Sequence, residues 1–396
     1  MICVREGTVI AILAKRPGIT EILVEVDGSQ DKAISYDGLT GNVAVGDRVV
    51  LNTTAVAKNL GTGGYHYVMA NLREKRLEGA AEGHIMKLRY TPCQVQVLAV
   101  EEDASPYAPL MRDAESLQKI PVVIGTLHSM LAPVAAMIRA LAPGMKVVYV
   151  MTGGGALPLY FSRLVPRLRA QGYLEGTVTC GDAFGGDLEA VNIYTGLLAA
   201  RVVAGADVII VSMGPGIVGT GSPFGHTAVE QGEIVNAVNI LEGLPIAVPR
   251  ISFADPRQRH YGISHHTVTA LGKIALTPCL IPIPKLAPSK EYYLLRQLHE
   301  TGLLRKHRVV RVDTDHVLET LKNCALPLET MGRGLAEDPD FFLTAGAAGV
   351  VAVATSRQPE VFLENLAVSG ERGVLHCGPE GAIRKEPLLP PPSNST

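Results

Sequence analysis

Residues 206–226 read ADVIIVSMGPGIVGTGSPFGH and carry the clearest signal of the fold class in the chain. It begins with a short apolar run at residues 208–211, which is rich in β-branched side chains and predicts a strand buried on both faces. Glycines and prolines then delay any helix until about residue 227, where a helical pattern begins that continues to about residue 241. A buried strand that leads through a glycine loop into a helix is typical of an open α/β sheet, in which ligands bind beyond the carboxyl ends of the strands. We therefore expect a binding site at this loop.

Composition and charge exclude several classes of protein. The 396-residue chain has a formal net charge of −2 and no long basic segment. Nonspecific nucleic-acid binding needs clustered lysine and arginine, and stacking on single strands needs aromatic residues, which make up only 5% of the chain. The six cysteines are widely spaced, the N-terminus lacks a signal-peptide pattern, and no apolar segment reaches the roughly 18 residues that span a bilayer. We expect a reduced, cytoplasmic protein that binds neither nucleic acid nor membrane.

The first 84 residues predict a small all-β domain. Short β-branched runs alternate with turn pairs such as Asp27-Gly28 and Asp37-Gly38, whose residues tolerate the positive φ of tight hairpins. The expected strands cover residues 8–14, 21–26, 32–36, 48–54 and 67–70. Five short strands at this spacing are typical of a small barrel.

From residue 85 to about residue 356, strand-like runs alternate with amphipathic segments. The expected strands are residues 93–100, 121–126, 146–151, 176–180, 208–213, 245–251, 280–284, 309–312 and 349–354. This alternation predicts a doubly wound, mostly parallel sheet, and a (β/α) barrel is the alternative because it produces the same pattern. Helices are expected at residues 156–170, with a kink at Pro166, and at residues 188–204, with Asp187 as N-cap. Residues 357–396 form an extension whose proline-rich tail, from about residue 378, is expected to be disordered.

Six motifs occur in one order along the chain. They are LGTGGY at 60–65, GHIMKLRYTP at 83–92, MTGGGALPLYFSRLV at 151–165, GTVTCGDAFGGDLEA at 176–190, SMGPGIVGTG at 212–221 and HYGISHHTVTALG at 260–272. Over residues 4–285 this set resembles an uncharacterised bacterial family that is defined by a domain of unknown function. The resemblance implies no activity, cofactor or catalytic residue, so the candidate sites are argued from the residues themselves.

Two glycine-rich loops are candidate anion-binding sites. The loop after residue 213 has the G-x-G-x-x-G spacing of a dinucleotide fingerprint, but a further glycine and a proline delay the helix whose N-terminus should face the pyrophosphate. A loop that binds an anion through successive backbone N–H groups is the broader interpretation, and a turn without a ligand is the alternative. The second loop follows the strand at residues 146–151 and precedes an expected helix, whose dipole favours an anion. The candidate residues of both loops are Thr152, Gly153, Gly154, Gly155, Gly214, Gly216, Gly219, Thr220 and Gly221.

Carboxylates follow the strand expected at residues 176–180. Asp182 and Asp187 lie beside glycines that allow sharp bends, so they are candidates for orienting a general base or holding a hard cation. Helix capping by Asp187 is the structural alternative.

The densest polar segment, residues 255–266, reads DPRQRHYGISHH. Arg257 and Arg259 suit a phosphate or a carboxylate. Ser264 is the expected N-cap of a helix and a further ligand-binding candidate.

Three histidines near these loops are candidate acid–base groups, namely His226, His265 and His266. Adjacent residues diverge by about 100° around a helix, so His265 and His266 are not expected to bind one metal ion together. A histidine with a purely structural role in the core is the alternative for each of them.

We expect an enzyme, a hydrolase or a transferase, that acts on a small anionic metabolite. A metabolite sensor and an NAD-dependent oxidoreductase are the alternatives, and the sequence leaves the cofactor unknown and a homo-oligomer open. If the strands are parallel, the loops at 152–155, 181–187, 213–225 and 252–264 all leave one edge of the sheet. A carboxylate of residues 181–189, Asp182 or Asp187, is then expected within about 6 Å of an imidazole of residues 260–266, His265 or His266. A much larger separation without a cleft favours the sensor.

Overall fold

The computed structural model describes residues 1–61, 63–74, 76–79, 82–367, 374–378 and 382–386. The chain divides into two compact units, Met1–Leu98 and Ala99–Thr396. The first unit therefore extends beyond residue 84, and each unit is described by itself.

The first unit is built on a closed five-stranded barrel with the strand order β1-β2-β3-β5-β4. Its interior is filled by alternate apolar side chains, among them Val9, Ile22 and Leu51. The barrel confirms the small all-β unit expected from the sequence. The elements of this unit are β1 (Val4–Arg16), β2 (Ile19–Val26), β3 (Ser29–Tyr36), α1 (Asp37–Thr40), β4 (Arg48–Asn52), α2 (Thr54–Ala57), β5 (Tyr65–Asn71), β6 (Ile85–Lys87) and β7 (Val95–Val97), of which the last two form an antiparallel pair.

The second unit is built on a ten-stranded sheet. Its strands are β8 (Pro121–Ile124), β9 (Val147–Thr152), β10 (Gly176–Cys180), β11 (Leu188–Ala190), β12 (Val208–Met213), β13 (Leu244–Ala247), β16 (Leu280–Pro284), β17 (Arg308–Val312), β20 (Val374–Cys377) and β21 (Ile383–Glu386). Their order is β11-β10-β9-β12-β8-β13-β16-β17-β20-β21, and only the last pair is antiparallel. The sheet is open, with β11 and β21 at its edges, so it is not the (β/α) barrel. Two-stranded pairs complete the unit: β14 (Ile251–Ser252) with β15 (Gly262–Ile263), and β18 (Glu329–Thr330) with β19 (Arg333–Gly334).

The buried side chains of the strands in this sheet are divided between two hydrophobic clusters. Tyr149 and Met151 of β9 belong to one cluster, whereas Val148 and Val150 belong to the other, because successive side chains of a strand point to opposite faces. The helices of the unit are α3 (Ala108–Arg112), α4 (Leu131–Leu141), α5 (Leu164–Ala170), α6 (Ile193–Leu198), α7 (Glu230–Ile240), α8 (His265–Thr269), α9 (Pro288–Glu300), α10 (Leu303–Lys306), α11 (Asp315–Asn323), α12 (Pro339–Arg357) and α13 (Pro359–Ala367). A π-helical segment, Ala199–Val203, extends α6, and another, Ala270–Ile274, extends α8.

The strand expected at residues 349–354 is wrong, because these residues lie in α12. Nearly every residue of this helix is buried, so its sequence lacks the amphipathic period that identifies a helix. By length and composition α12 is the one helix of the described residues that could cross a membrane, but 89% of its apolar window is buried inside the protein, as in a core helix.

Two further helix predictions need correction. The helix expected at residues 156–170 is shorter: α5 begins at Leu164, which places Pro166 in its first turn, where proline does not kink a helix. In the helix expected at residues 188–204, the first residues form the edge strand β11, and Asn192 caps α6 instead of Asp187. The Asn192 side chain accepts hydrogen bonds from two backbone N–H groups, which makes it the stronger cap.

The C-terminal extension is also more ordered than expected where it is described. Residues 374–377 and 383–386 form the hairpin of β20 and β21. The proline run at residues 390–392 lies outside the described residues.

Candidate functional site

The candidate site lies at the carboxyl ends of the parallel strands of the large sheet. β9, β10, β12 and β13 are each parallel to their neighbours, so the four loops named from the sequence leave one edge, as expected. β12 and β13 flank β8 in the sheet. The loops that follow β12 and β13 supply four histidines that contact one another: His226, His260, His265 and His266.

The rings of three of these histidines converge. His226 stacks on His266 with centroids 3.9 Å apart, and the His265 centroid lies 4.4 Å from that of His266. One ring nitrogen of each lies within 4.8 Å of the corresponding atoms of the other two. The expectation that the adjacent histidines diverge is therefore wrong. Both belong to the first turn of α8, and because helical side chains point towards the N-terminus, both rings extend past the helix end to one point.

Local backbone structure holds each ring in place. His226 has extended backbone angles and pairs with Gly219 across the loop after β12. Its Nε2 lies 2.9 Å from the carbonyl oxygen of Pro223, so Nε2 carries the hydrogen and Nδ1 keeps its lone pair. Ser264 caps α8 as expected, because its Oγ accepts a hydrogen bond from the backbone N–H of His266. The same hydroxyl lies 2.7 Å from Nδ1 of His260.

Burial keeps these imidazoles uncharged. Loss of hydration is the largest cause of the lowered pKa of His226, His265 and His266, and the charges of neighbouring histidines and arginines add to it for the last two. For His260, burial and then the charge of Arg250 lower the pKa to about 3. At neutral pH the cluster therefore presents nitrogen lone pairs instead of N–H⁺ groups.

A buried network of arginines and aspartates adjoins the histidines. Asp255 is fully buried and accepts hydrogen bonds from Arg250 and, at both of its oxygens, from Arg257. Burial raises the pKa of Asp255, but the Arg257 hydrogen bonds and the arginine charges outweigh burial and leave this pKa well below its usual range. Asp338 accepts hydrogen bonds from Ser252 and from Arg333. The network contains the guanidinium groups of Arg250, Arg257 and Arg333 and the carboxylates of Asp255 and Asp338. Its net charge is therefore +1.

The two candidate arginines differ in their surroundings. Arg257 is occupied by Asp255, whereas Arg259 is exposed and has no ion-pair or hydrogen-bond partner among the described residues. Its charge reaches His265, where it helps to lower the pKa. Arg259 is therefore the arginine that is free to meet a ligand.

The structure does not bring the candidate carboxylates to the histidines. β9, β12 and β8 all lie between β10 and β13, so the ends of β10 and β13 are about 19 Å apart at ordinary strand spacing. Asp187 instead accepts hydrogen bonds from the backbone and side chain of Thr177 and pairs with Arg169. These contacts hold Asp187 beside the start of β10, so the contact predicted between Asp187 and the imidazoles is wrong. The strand order also separates the end of β10, which Asp182 follows, from the end of β13.

The glycines of the candidate loops fall into two groups. Gly153, Gly154 and Gly214 pack closely: a Cβ on Gly153 would lie 2.7 Å from the backbone nitrogen of Asp182, and a Cβ on Gly154 would lie 2.8 Å from a carboxylate oxygen of Glu230. No helix begins at Thr152 or Gly155, where the chain makes a three-residue 3-10 turn. Further along the loop after β12, Gly219 also packs closely, against the ring of His266, whereas Gly216 and Gly221 have open space around them. Thr220 is exposed and hydrogen-bonded within the loop.

Sequence reasoning missed several residues of this region. Arg250, Asp255 and His260 flank the quoted polar segment or lie inside it, but nothing in the sequence marks them as a charge network. Arg333 and Asp338 come from the segment between β18 and α12, which is about 80 residues away along the chain. No spacing rule predicts such a contact from one sequence.

The fold and the site together define an α/β protein in which a histidine cluster lies at the carboxyl edge of a parallel sheet, with a separate small β-barrel unit. Residues 32–349 match the model of a family described as protein of unknown function (DUF3866), and since this is most of the chain, the chain belongs to that family. The resemblance stated from the motifs is thereby confirmed. A comparison with the curated proteins finds no match.

Proposed function

We infer that the protein is an enzyme, a hydrolase or a transferase, that acts on a small anionic metabolite at the histidine cluster. The observation that carries this proposal is the convergence of three uncharged imidazoles beside the exposed Arg259. Neutral imidazoles can accept a proton from a nucleophile, and a free guanidinium can hold a phosphate or a carboxylate next to them.

The topology supports this location. The chain enters the large sheet at β8 and then adds strands on both of its sides, so the ends of β12, β8 and β13 surround a point where the strand order reverses. In doubly wound sheets such a reversal opens a crevice in which ligands bind. The proposal takes the sheet as doubly wound, as the distribution of strand residues between two hydrophobic clusters supports.

Anion binding is tested by thermal unfolding of chelator-treated protein with phosphate or sulfate. We expect either anion to raise the unfolding temperature, because a ligand at 100 times its Kd stabilises the folded state by about 2.7 kcal/mol. Arg259→Ala should remove this effect. Arg112→Ala is the matched control, since Arg112 is exposed and its ion-pair partner among the described residues is the exposed Asp103. An unchanged anion effect in Arg259→Ala would contradict the assignment.

A metabolite sensor is the second candidate, and the separation of Asp182 and Asp187 from the histidines favours it. The enzyme and the sensor differ in whether the protein converts a substrate into a product. Release of the alcohol from a panel of phosphate monoesters and diesters, lost in His265→Asn, supports the enzyme. Anion binding without turnover of any substrate supports the sensor.

A further inference from the structure

We propose that His226, His265 and His266 bind one divalent first-row transition-metal ion, with Zn²⁺ as the preferred ion. The inference deepens the proposed function and rests on it for the location of the site. It assigns the lone pairs of the three imidazoles to a metal ion, so with the ion bound the ion, and no longer a free imidazole, would activate the nucleophile. It concerns a metal ion, which the anion proposal does not require.

The first support is a set of buried nitrogen atoms without partners. His226 Nδ1, His265 Nε2 and both ring nitrogens of His266 are buried and have no hydrogen-bond partner in the part of the chain that the structure describes. The whole residues His226 and His266 are only 5% and 4% exposed. Buried polar atoms in proteins are almost always paired, so several unpaired nitrogens on three rings that contact one another indicate an absent ligand. A metal ion accepts lone pairs from all three rings at once, which no single hydrogen-bond donor does.

The distances fit such an ion after a small adjustment. A Zn–N bond of about 2.0–2.1 Å places the nitrogens of a tetrahedral site about 3.3–3.4 Å apart. The ligand atoms here lie within 4.8 Å of one another. Each nitrogen would move inward by up to about 0.9 Å, and the stacked rings of His226 and His266 would turn about their side-chain bonds so that both lone pairs point at the ion.

The surroundings of His226 match those of a metal ligand. Its Nε2–H donates to the carbonyl oxygen of Pro223, and this contact fixes the tautomer that leaves Nδ1 free for the metal. Metal-binding histidines commonly donate their other N–H group to a carbonyl or a carboxylate in this way. The cap of α8 by Ser264 holds the backbone of the other two histidines.

The kind of ligand selects the kind of metal. Three imidazoles with no carboxylate or thiolate suit Zn²⁺, Ni²⁺, Cu²⁺ and Fe²⁺, whereas Ca²⁺ and Mg²⁺ need oxygen ligands. A site with three protein ligands leaves a fourth position open, as catalytic zinc sites do. The positive charges of the nearby arginines oppose a bare cation, but they favour an anion in the open position. The metal site and the anion site therefore support each other.

The test uses the full chain without a polyhistidine tag, stripped with a chelator and titrated with Co²⁺ while its visible absorption is recorded. We expect one Co²⁺ per chain with a tetrahedral spectrum, displaced by one Zn²⁺. His226→Asn, His265→Asn and His266→Asn should each weaken binding at least tenfold. His316→Asn is the matched control: the His316 Nε2 is also buried and unpaired, but it belongs to no metal-ligand group among the described residues, so it should not alter binding.

Folding is checked separately, because a histidine variant that unfolds would also lose the metal. Thermal unfolding without metal shows whether each variant folds, and Zn²⁺ should raise the unfolding temperature of the wild type but not of the folded ligand variants. No stoichiometric Co²⁺ or Zn²⁺ binding by the wild type, or binding that survives all three substitutions, overturns the inference. If phosphate or sulfate still raises the unfolding temperature of the chelator-treated protein, the proposed function stands even when the metal inference fails. If the wild type binds metal but neither anion raises its unfolding temperature, only the anion site is rejected.

Discussion

Gly219 lies directly against the ring of His266. A Cβ on Gly219 would be 2.9 Å from both Cε1 and Nε2 of that ring, a distance at which one of the groups must move. The φ angle of Gly219 is not in the positive range, so the need for glycine is steric and does not come from the backbone conformation. The glycine spacing that resembles a dinucleotide fingerprint therefore makes room for a histidine.

The variant Gly219→Ala should displace His266 without unfolding the protein. We expect the affinity for Co²⁺ to fall at least tenfold, because one of three ligands leaves its place. Gly221→Ala in the same loop is the control: nothing lies within 4 Å of its added Cβ, and its φ is also not positive. Equal metal affinities in the two variants would show that the contact with His266 does not matter.

Asp255→Asn should be strongly destabilising. The carboxylate is fully buried between Arg250, which is 3% exposed, and Arg257. Removing one member of a buried ion pair leaves an uncompensated charge and costs about 3–5 kcal/mol. Urea unfolding measures this loss. Asp103→Asn, which removes a carboxylate that is 99% exposed, should change the free energy of unfolding by less than about 1 kcal/mol.

The stability of the protein should depend on pH through His128. Burial lowers the pKa of His128 to about 4, and its ring nitrogens lie within hydrogen-bond distance of the hydroxyl groups of Tyr149 and Ser162. The unfolded state binds the proton more readily, so this contribution to stability is complete above about pH 6.5 and is lost as the pH falls towards 4.

The comparison of His128→Gln with the wild type isolates the contribution of His128 to the pH dependence of stability. Between pH 7 and about pH 4.5 the stability advantage of the wild type should shrink by about 1–2 kcal/mol, a value reduced for the partial exposure of the ring. Urea unfolding at both pH values gives the difference. His299→Gln, on the exposed side of α9, should show no such change.

Gly349→Ala in α12 should destabilise the protein although alanine favours helices. A Cβ on Gly349 would lie 2.7 Å from the carbonyl oxygen of Val134 in α4, and backbone cannot move aside cheaply. We expect a loss of about 1–3 kcal/mol. Gly272→Ala is the control, because its Cβ would make one ordinary contact at 3.8 Å. A more stable Gly349→Ala variant would mean that α4 and α12 can separate without cost.

Local signals account for what could be predicted from the sequence. The barrel strands and most of the parallel strands were predictable because turn pairs and short β-branched runs are recognisable within a few residues. The strand expected at residues 93–100 in the large sheet is wrong, because the strand among these residues is β7, which pairs antiparallel with β6 in the first unit. α12 was not, since a helix buried all round has the same composition as a buried strand. The segment after Asp187 was assigned to a helix because a strand of three residues, β11, leaves almost no periodic signal.

The site was predicted only in part, for a different reason. The histidines and Arg259 follow strand ends that are recognisable in the sequence, so their common edge was predictable. The order of strands in the sheet was not, and that order separates Asp187 from His265. The periodicity argument treats His265 and His266 as members of an established helix, so it does not give the direction of their side chains at the start of the helix.

The stack of His226 on His266 joins two segments that lie about 40 residues apart in the chain. The loop after β12 carries exposed glycines and threonine at residues 219–221 and returns to the protein at His226, so opening this loop separates the two rings. Whatever bridges the rings must therefore slow the local opening of residues 214–226. The exchange of backbone hydrogens with solvent in this loop consequently reports occupancy of the cluster, without any assay of the reaction.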